Sequence, residues 1–538
     1  MSVRPIKDGS IQDIKEYFRG NYALTFLVGA GCSVDSPSIL PTHREMMKSI
    51  INFVSPLDES EKILSITKTM QFEQLIELFR DSIDNALRVI DYYGECETPN
   101  IQHFFLANMI KKGNYVMTTN FDLLIERALM KLGVKESDII PVITQKDYEM
   151  YRDPGKLIKI GKKPVYKIHG SVKNIITNKS TKDSLITTIR SIGRNKKGQN
   201  VFQIEPFKRE LFDNVSKNRI LIIMGCSGDF NFDIIPTLKT LKDLRSILWF
   251  NHIDSDNNTE RILEIQSNDG GSGQKISKVD RILSEIKKIN HKVDIYRIDT
   301  NTTRFIKEVW QEKPPLNTKE FSITPFSWLT RVFSGLSEEN KIFLANRIYY
   351  DMNDFRNALR LSKKLLKIAT EKDDKTWMAN ALSSIGMIYY GQGNQQKAME
   401  YYEKSLKIAK KLDYRSELRY ILSSIGLIYR DQGKYKKAME IFLKAIKIDE
   451  EIGDIDSKGL DLSNISICYM GLREFNKAIE SSEEAIKIFE KTGNLLPKGR
   501  ALNNLTWCYG ELEEYDKALS YSKQGLEISK KLGDKSGV

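Results

Sequence analysis

The sequence predicts two parts of different fold class, an α/β domain with a mostly parallel sheet and, after it, an all-α solenoid. Two observations predict them. In the N-terminal part, short apolar runs alternate with helical stretches, as strands and crossover helices do in a parallel sheet. In the C-terminal part, one residue pattern recurs every 40 positions, which is typical of stacked helical repeats.

Six apolar runs in the N-terminal part predict the strands. They are ALTFLVGAG (23–31), YVMTTN (115–120), PVYKIHG (164–170), RILIIMG (219–225), SILWFN (246–251) and VDIYRID (293–299). The stretches between them are long enough for crossover helices, so we expect helices on both sides of a parallel sheet. A segment with three prolines, 311–326, has no helical pattern. We therefore expect an α/β domain over 1–310, a linker over 311–335 and the repeats over 336–538.

The internal repeat is visible in four segments, each 40 residues after the last. They are IGMIYY (385–390), IGLIYR (425–430), ISICYM (465–470) and LTWCYG (505–510). An alanine follows each segment in the same register, at Ala398, Ala438, Ala478 and Ala518, and Tyr349 with Ala358 marks one more unit. Each of the five units predicts two helices joined by a turn containing Gly or Asn. The spaced Gly, Tyr and Ala resemble the tetratricopeptide repeat family, which implies a concave surface that binds proteins or peptides.

Composition excludes several classes of protein. The 538 residues, 41% hydrophobic and 29% charged, suit a globular protein of about three or four domain equivalents. No apolar run approaches the roughly 18 residues of a membrane helix, and the N-terminus shows no apolar signal segment, so we expect a cytoplasmic protein. The net charge is +12, but Lys and Arg alternate with Glu and Asp as on solvated helix faces. Nucleic acid is therefore not the expected partner.

The five cysteines are scattered along the chain and form no CxxC pair. We therefore expect neither a disulfide framework nor a bound metal such as zinc.

Polar or glycine residues follow five of the predicted strands. Ligands bind at the carboxyl ends of parallel strands, so these residues are the candidate site. They are Gly29, Ala30, Gly31 and Ser33, then Thr119, Asn120 and Asp122, then His169, then Gly225 and Ser227, and last Asn251. These residues also have purely structural explanations. Asp122 is a residue type that caps helices, and glycine is the residue type that tight turns use. Val34 replaces the third glycine of the G-x-G-x-x-G fingerprint, which disfavours hydride transfer.

The order GAG-x-S, T-x-N-x-D, HG, G-x-S and a late Asn resembles the sirtuin (SIR2) family over about 15–310. The resemblance implies a Rossmann-like domain that binds NAD and breaks its nicotinamide–ribose bond. It implies that Asn120 contacts the nicotinamide-side ribose or positions water, that Asp122 contacts the carboxamide and that His169 is the general base. Further cofactor contacts are implied for the phosphates and the adenosine end, from Gly29, Ala30, Gly31, Ser33, Thr119, Gly225, Ser227 and Asn251.

The chain departs from the protein-deacylating sirtuins in one important respect. Those enzymes carry a four-cysteine zinc module, whereas 171–218 contain no cysteine. A long helical stretch also separates the first two strands, and the later glycine element reads GCSGDFNFD. In these features the chain resembles the SIR2-like effectors of prokaryotic antiviral systems, in which the domain degrades NAD.

These features predict an NAD+ glycohydrolase that releases nicotinamide and ADP-ribose, an antiphage effector triggered through the repeats. The expected partners are NAD, a protein trigger and further copies of the same chain. Two alternatives stay open. One is an NAD-dependent protein deacylase or ADP-ribosyltransferase, and the other is a scaffold that binds NAD or ADP-ribose without chemistry.

Overall fold

The computed structural model describes residues 11–56, 59–185, 206–226, 234–241, 243–253, 260–266, 277–492 and 494–532. The described residues divide into two compact units. Unit 1 comprises those within 1–46, 87–188 and 200–328, and unit 2 those within 47–86 and 329–538. Within the described ranges, no helix is both long and apolar enough to cross a bilayer.

Unit 1 contains an eight-stranded sheet. Its strands are β1 (Leu24–Val28), β2 (Tyr115–Thr118), β3 (Ile139–Val142), β4 (Lys163–Lys167), β5 (Ile220–Met224), β6 (Ser246–His252), β7 (Arg261–Glu264) and β8 (Asp294–Thr300). The order across the sheet is β3-β4-β2-β1-β5-β6-β8-β7, and every neighbouring pair is parallel except β7 with β8. The six predicted strands and the mostly parallel sheet are confirmed.

Two strands, β3 and β7, were not predicted. Each has only four residues, β3 contains Pro141, and most β7 side chains are exposed. Both lie at the edges of the sheet, where a strand needs neither a long apolar run nor a complete set of backbone donors.

Helices cover both faces of the sheet. Those of unit 1 are α1 (Ile11–Arg19), α5 (Tyr92–Glu95), α6 (Ile101–Lys111), α7 (Leu124–Lys131), α8 (Gln145–Met150), α9 (Pro154–Lys159), α10 (Pro206–Ser216), α11 (Ile234–Thr240), α12 (Lys278–Ile289) and α13 (Thr302–Val309). Along β1, Phe26 and Val28 join one buried apolar cluster and Leu27 joins another. The central strands are therefore buried on both faces, which explains their nearly continuous apolar sequences.

Unit 2 contains the repeats as ten helices in five pairs. The pairs are α15 (Glu338–Asp351) with α16 (Phe355–Glu371), α17 (Lys375–Gly391) with α18 (Gln395–Leu412), α19 (Arg415–Asp431) with α20 (Tyr435–Ile452), α21 (Ile455–Gly471) with α22 (Phe475–Thr492), and α23 (Leu495–Glu511) with α24 (Tyr515–Leu532). The register alanines Ala358, Ala398, Ala438 and Ala478 are fully buried, whereas Ala518 in the last pair is partly exposed. The predicted solenoid is confirmed.

The helical stretch between β1 and β2 groups with the repeats rather than with the sheet. It contains α3 (Ser60–Ile66) and α4 (Phe72–Ser82), and both contact α15. Glu59, which is fully buried, accepts a hydrogen bond from the Tyr349 hydroxyl at 2.7 Å and forms an ion pair with Arg360 at 2.7 Å. Residues 47–86 thus group with the repeats instead of with the expected 1–310 domain. The hydrogen bond between Tyr349 and Glu59 joins residues 290 positions apart, and local periodicity carries no sign of such a contact.

Two helices span the division between the units. They are α2 (His43–Val54) and α14 (Pro325–Val332). Before α14, the expected linker is attached to unit 1, because Phe321 N–H donates to Pro37 O at 2.9 Å and the Tyr92 hydroxyl donates to Ile323 O at 2.9 Å.

Candidate active site at the carboxyl edge of the sheet

The strand order brings the predicted segments together. Strands β4, β2, β1, β5 and β6 are consecutive neighbours, so the segments that follow them lie side by side at one edge of the sheet. In that order, the residues just after or at the end of these strands are His169, Asn120, Gly29, Gly225 and Asn251. Ser227 lies outside the described residues, so its predicted contact stays a prediction.

The turn after β1 packs directly against the turn after β5. Gly31 N–H donates to Gly225 O at 2.9 Å, and a Cβ on Gly31 would approach Gly225 Cα to 2.9 Å. A Cβ on Gly225 would lie 2.6 Å from Cys32 N, and Gly225 has φ +67°. The contact between the turns therefore requires both glycines. Gly29 N–H also has a protein partner, Met224 O at 2.9 Å, and the predicted phosphate contacts of this turn stay predictions.

Asn120 is held in one orientation by two hydrogen bonds. Its Nδ2 donates to Gly29 O at 3.1 Å and to Ser33 Oγ at 3.2 Å. The side chain is only 5% exposed, and its Oδ1 has no hydrogen-bond partner within the described part of the chain. A buried acceptor without a donor costs stability, so this oxygen is a site for a donor from a ligand or from water.

The Ser33 hydroxyl connects Asn120 to two further residues. It donates to Asp122 Oδ2 at 2.8 Å, accepts from Asn120 Nδ2, and lies 3.1 Å from His103 Nε2. A hydroxyl has one proton and two lone pairs, so these three partners fill its hydrogen-bonding capacity.

The Asp122 carboxylate accepts two hydrogen bonds from the protein. Its Oδ2 accepts from Ser33, and its Oδ1 accepts from Leu124 N–H at 3.1 Å at the start of α7. Its backbone carbonyl accepts a hydrogen bond from the Lys167 ammonium, which is itself buried and 3.7 Å from Glu126. Each carboxylate oxygen keeps a second lone pair, so a carboxamide contact stays a prediction.

His169 follows β4 and is 4% exposed. Its loop is attached to β2 by the bond from Ile168 N–H to Thr118 O at 2.8 Å, and the buried Lys208 ammonium donates to Ile168 O at 2.6 Å. A second imidazole is close by, because burial and then the proximity of His169 lower the pKa of His43 to about 4. The His169 imidazole thus follows β4, and Asn120 follows its neighbour β2.

Two further predicted residues, Asn251 and Thr119, lie at the same edge. Asn251, at the end of β6, donates to Asp299 Oδ1 on β8 at 2.8 Å. Thr119 N–H donates to Val28 O at 3.0 Å, and its side chain lines a small, mainly apolar pocket with Trp249. In the described ranges, no three His, Cys, Asp or Glu side chains lie close enough together to hold a metal ion.

His103 is the residue of this site that the sequence did not predict. Asn100 and His103 have the N-cap and N3 spacing of a capping box, and this spacing predicts only the start of α6. The contact with Ser33 joins residues 70 positions apart, so it depends on the fold.

Comparison with protein families assigns both parts of the chain. Residues 114–243, which include β2 to β5, Asn120 and His169, match the family described as SIR2-like domain. Residues 347–411 and 460–531 match a tetratricopeptide repeat family, and 421–452 match a second one. The chain is a fusion of a SIR2-like domain and tetratricopeptide repeats. A SIR2-like domain implies an NAD-related function, and the repeats imply protein binding.

Other comparisons add little to this assignment. No curated protein matches the chain significantly. Among solved structures, the apo form of RapI matches at 22% identity and TM-score 0.33, over 40% of this chain and 62% of that one. Aspartyl phosphate phosphatase F from Bacillus subtilis matches at 23% identity and TM-score 0.34, over 40% and 58%, and BtubC from P. vanneervenii at 19% and 0.33, over 37% and 84%. At these TM-scores the likeness carries no functional information.

Proposed function

We propose that the SIR2-like domain is an NAD+ glycohydrolase. Water replaces nicotinamide at the C1′ atom of the ribose, and the products are nicotinamide, ADP-ribose and one proton. The observation that carries this proposal is the buried Asn120 Oδ1, an acceptor without a partner in the described residues and beside the turn after β1. An uncharged acceptor can orient water, or a ribose hydroxyl, without opposing the positive charge that develops on the ribose.

The released proton needs an acceptor. His169 follows β4, the strand next to β2, which Asn120 follows, and an imidazole is the side chain most often used as a general base near neutral pH. Because His43 is neutral at this pH, it adds no positive charge that would oppose proton uptake by His169. We therefore assign His169 the role of general base and Asn120 that of orienting the water.

We further propose that this activity is gated through the repeats and serves antiphage defence by depleting NAD. Two segments of unit 1 that continue in sequence into unit 2 support the gating. Helix α2 begins at His43, whose ring centroid is 5.9 Å from that of Phe121, between Asn120 and Asp122. The segment before α14 is attached to the loop after Ser33 through the bond from the Ser36 hydroxyl to Glu320 at 2.8 Å. A protein that binds the repeats, or further copies of the chain, would be the trigger.

Incubation with NAD in oxygen-18 water tests the reaction. A glycohydrolase releases equal amounts of nicotinamide and ADP-ribose, and the ADP-ribose carries one oxygen-18 atom, whereas Asn120→Ala releases both products about 10²–10³-fold more slowly. Nicotinamide released only after addition of an acyl-lysine peptide or an acceptor protein would replace the proposal by a deacylase or an ADP-ribosyltransferase. If the protein binds NAD but releases no nicotinamide, even in cells that carry the trigger, it is a scaffold.

Phage infection of cells that express the chain tests the gating. We expect intracellular NAD to fall after infection with the wild-type protein and to stay constant with Asn120→Ala. A constant NAD level with both proteins, or the same fall without phage, would contradict the proposed trigger.

A further inference from the structure

His103 is buried in α6 and makes one hydrogen bond with each ring nitrogen. It is 1% exposed. Its Nδ1 accepts the Asn100 N–H at 3.2 Å, and its Nε2 lies 3.1 Å from Ser33 Oγ. Burial lowers the pKa of His103 to about 4, so the ring is neutral at pH 7. In a neutral ring whose Nδ1 accepts, the proton is on Nε2, and His103 therefore donates to Ser33.

This donation decides the direction of the bonds around Ser33. With donors at His103 Nε2 and Asn120 Nδ2, both lone pairs of the Ser33 hydroxyl are occupied, and its proton is directed to Asp122 Oδ2. The same arrangement keeps the Asn120 amide nitrogen directed at Gly29 O and Ser33 Oγ, so that the buried Oδ1 is the amide atom without a partner in the described residues. Without the His103 donor, one lone pair of the Ser33 hydroxyl is unfilled, and only Asp122 and Asn120 remain to fix the position of this hydroxyl.

We propose that His103 is a positioning residue of the NAD-cleaving site. Through Ser33, its Nε2–H holds Asn120 and Asp122 in the orientation in which Asn120 Oδ1 receives its donor. This inference rests on the proposed hydrolase function, and it adds a residue that acts through Ser33 rather than by contact with the substrate.

The competing explanation is that His103 only caps α6 through Nδ1. Two substitutions separate the two roles. His103→Asn keeps an acceptor near the position of Nδ1 for the Asn100 N–H but has no donor that reaches Ser33. His103→Gln places an amide nitrogen near the position of Nε2 but loses the acceptor for the cap. A capping role predicts a stable, active His103→Asn and a destabilised His103→Gln.

The positioning role predicts the opposite order of activity. We expect His103→Asn to lower kcat about tenfold, the effect of one lost hydrogen bond in the transition state, with KM within about twofold. We expect His103→Gln to restore most of this kcat, even if its melting temperature falls. In a Ser33→Ala background, His103→Asn should cause no further loss of kcat, because its effect passes through the hydroxyl.

The outcomes separate this inference from the proposed function. Two results with an active wild type would overturn the positioning role and leave the hydrolase in place. One is a fully active His103→Asn, and the other is additive losses of kcat in the Ser33→Ala, His103→Asn double variant. A wild type that is silent even with its trigger overturns the hydrolase. Nitrogen-15 NMR of histidine-labelled protein then shows which ring nitrogen of His103 carries the proton, and this measurement needs no enzyme activity. The His103 signal is the one that disappears in His103→Gln. A proton on Nε2 between about pH 5 and 8 supports the inference, and a proton on Nδ1 overturns it.

Discussion

Replacement of Asn120 by Ala or by Asp tests both the orientation of its amide and its role in the reaction. Asn120→Ala removes the two hydrogen bonds that Nδ2 donates to Gly29 O and Ser33 Oγ. Asn120→Asp keeps the size of the side chain but places an oxygen where Nδ2 stands. The two variants therefore differ in what faces Gly29 and Ser33, and both remove the native amide.

The cost of Asn120→Ala is moderate because both acceptors keep another donor. Gly29 O still accepts from Cys32 N–H at 3.0 Å, and Ser33 Oγ still accepts from His103. Two lost hydrogen bonds at about 1 kcal/mol each, offset in part by removal of the unpaired Oδ1, give a loss of at most about 2 kcal/mol in the free energy of unfolding.

Asn120→Asp should cost more at neutral pH. The new oxygen would face the Gly29 carbonyl and the Ser33 hydroxyl, whose proton is already donated to Asp122. A carboxylate that is 5% exposed and lacks donors costs about 3–5 kcal/mol. Burial would raise the pKa of the new carboxyl, and the protonated form regains one donor. The difference between Asp and Ala should therefore shrink as the pH falls.

Urea denaturation of both variants at about pH 7.5 and pH 5 measures this difference. If Asn120→Asp is as stable as Asn120→Ala at the higher pH, the amide is oriented the other way and Oδ1 is not the free acceptor. Nicotinamide release supplies the second readout, and we expect a loss of about 10²–10³ in kcat for Asn120→Ala, as for other donors and acceptors aimed at a transition state. A kcat within about twofold of wild type would remove Asn120 from the mechanism.

Three further predictions concern the fold. Gly225→Ala should destabilise unit 1 more than the control Gly161→Ala. Both glycines have a positive φ, but only at Gly225 would a Cβ lie 2.6 Å from a backbone nitrogen. Equal melting temperatures of the two variants would contradict the packing of the turn after β1 against the turn after β5. Glu59→Ala should lower the free energy of unfolding of unit 2 by about 1–3 kcal/mol, because it leaves the buried Tyr349 hydroxyl without its acceptor and removes the ion pair with the half-exposed Arg360. An unchanged urea midpoint would contradict this. Burial raises the pKa of Asp449 and of Asp461 from 3.8 to about 7, so the folded repeats bind more protons than the unfolded chain. The free energy of unfolding of the repeats should therefore fall as the pH rises through this interval. Asp461→Asn should weaken this pH dependence, which urea denaturation at about pH 5.5 and pH 8 measures. If the variant loses as much stability between the two pH values as the wild type, Asp461 is not one of the groups responsible.

The sequence by itself determined the elements with a local period. Six of the eight strands are apolar runs in the sequence, because strands that are buried on both faces need apolar side chains at nearly every position. The 40-residue repeat predicted the five helix pairs. The polar residues after the strands were visible for the same reason, because they interrupt those runs. The short edge strands β3 and β7 leave no such signal, because each has only four residues, Pro141 interrupts β3, and most β7 side chains are exposed.

Only the tertiary structure decided which distant groups meet. The grouping of 47–86 with the repeats depends on Glu59 and its partners beyond residue 340, and no period in the sequence connects them. The site is similar: the strand order places the segments after β2 and β1 together, so Asn120 and Asp122 meet Ser33 across 87 and 89 positions. Residue types show that Asn120 can accept or donate. The direction of its bonds depends on Gly29, Ser33 and His103, which the fold brings to it because hydrogen bonds join groups in space regardless of their separation along the chain.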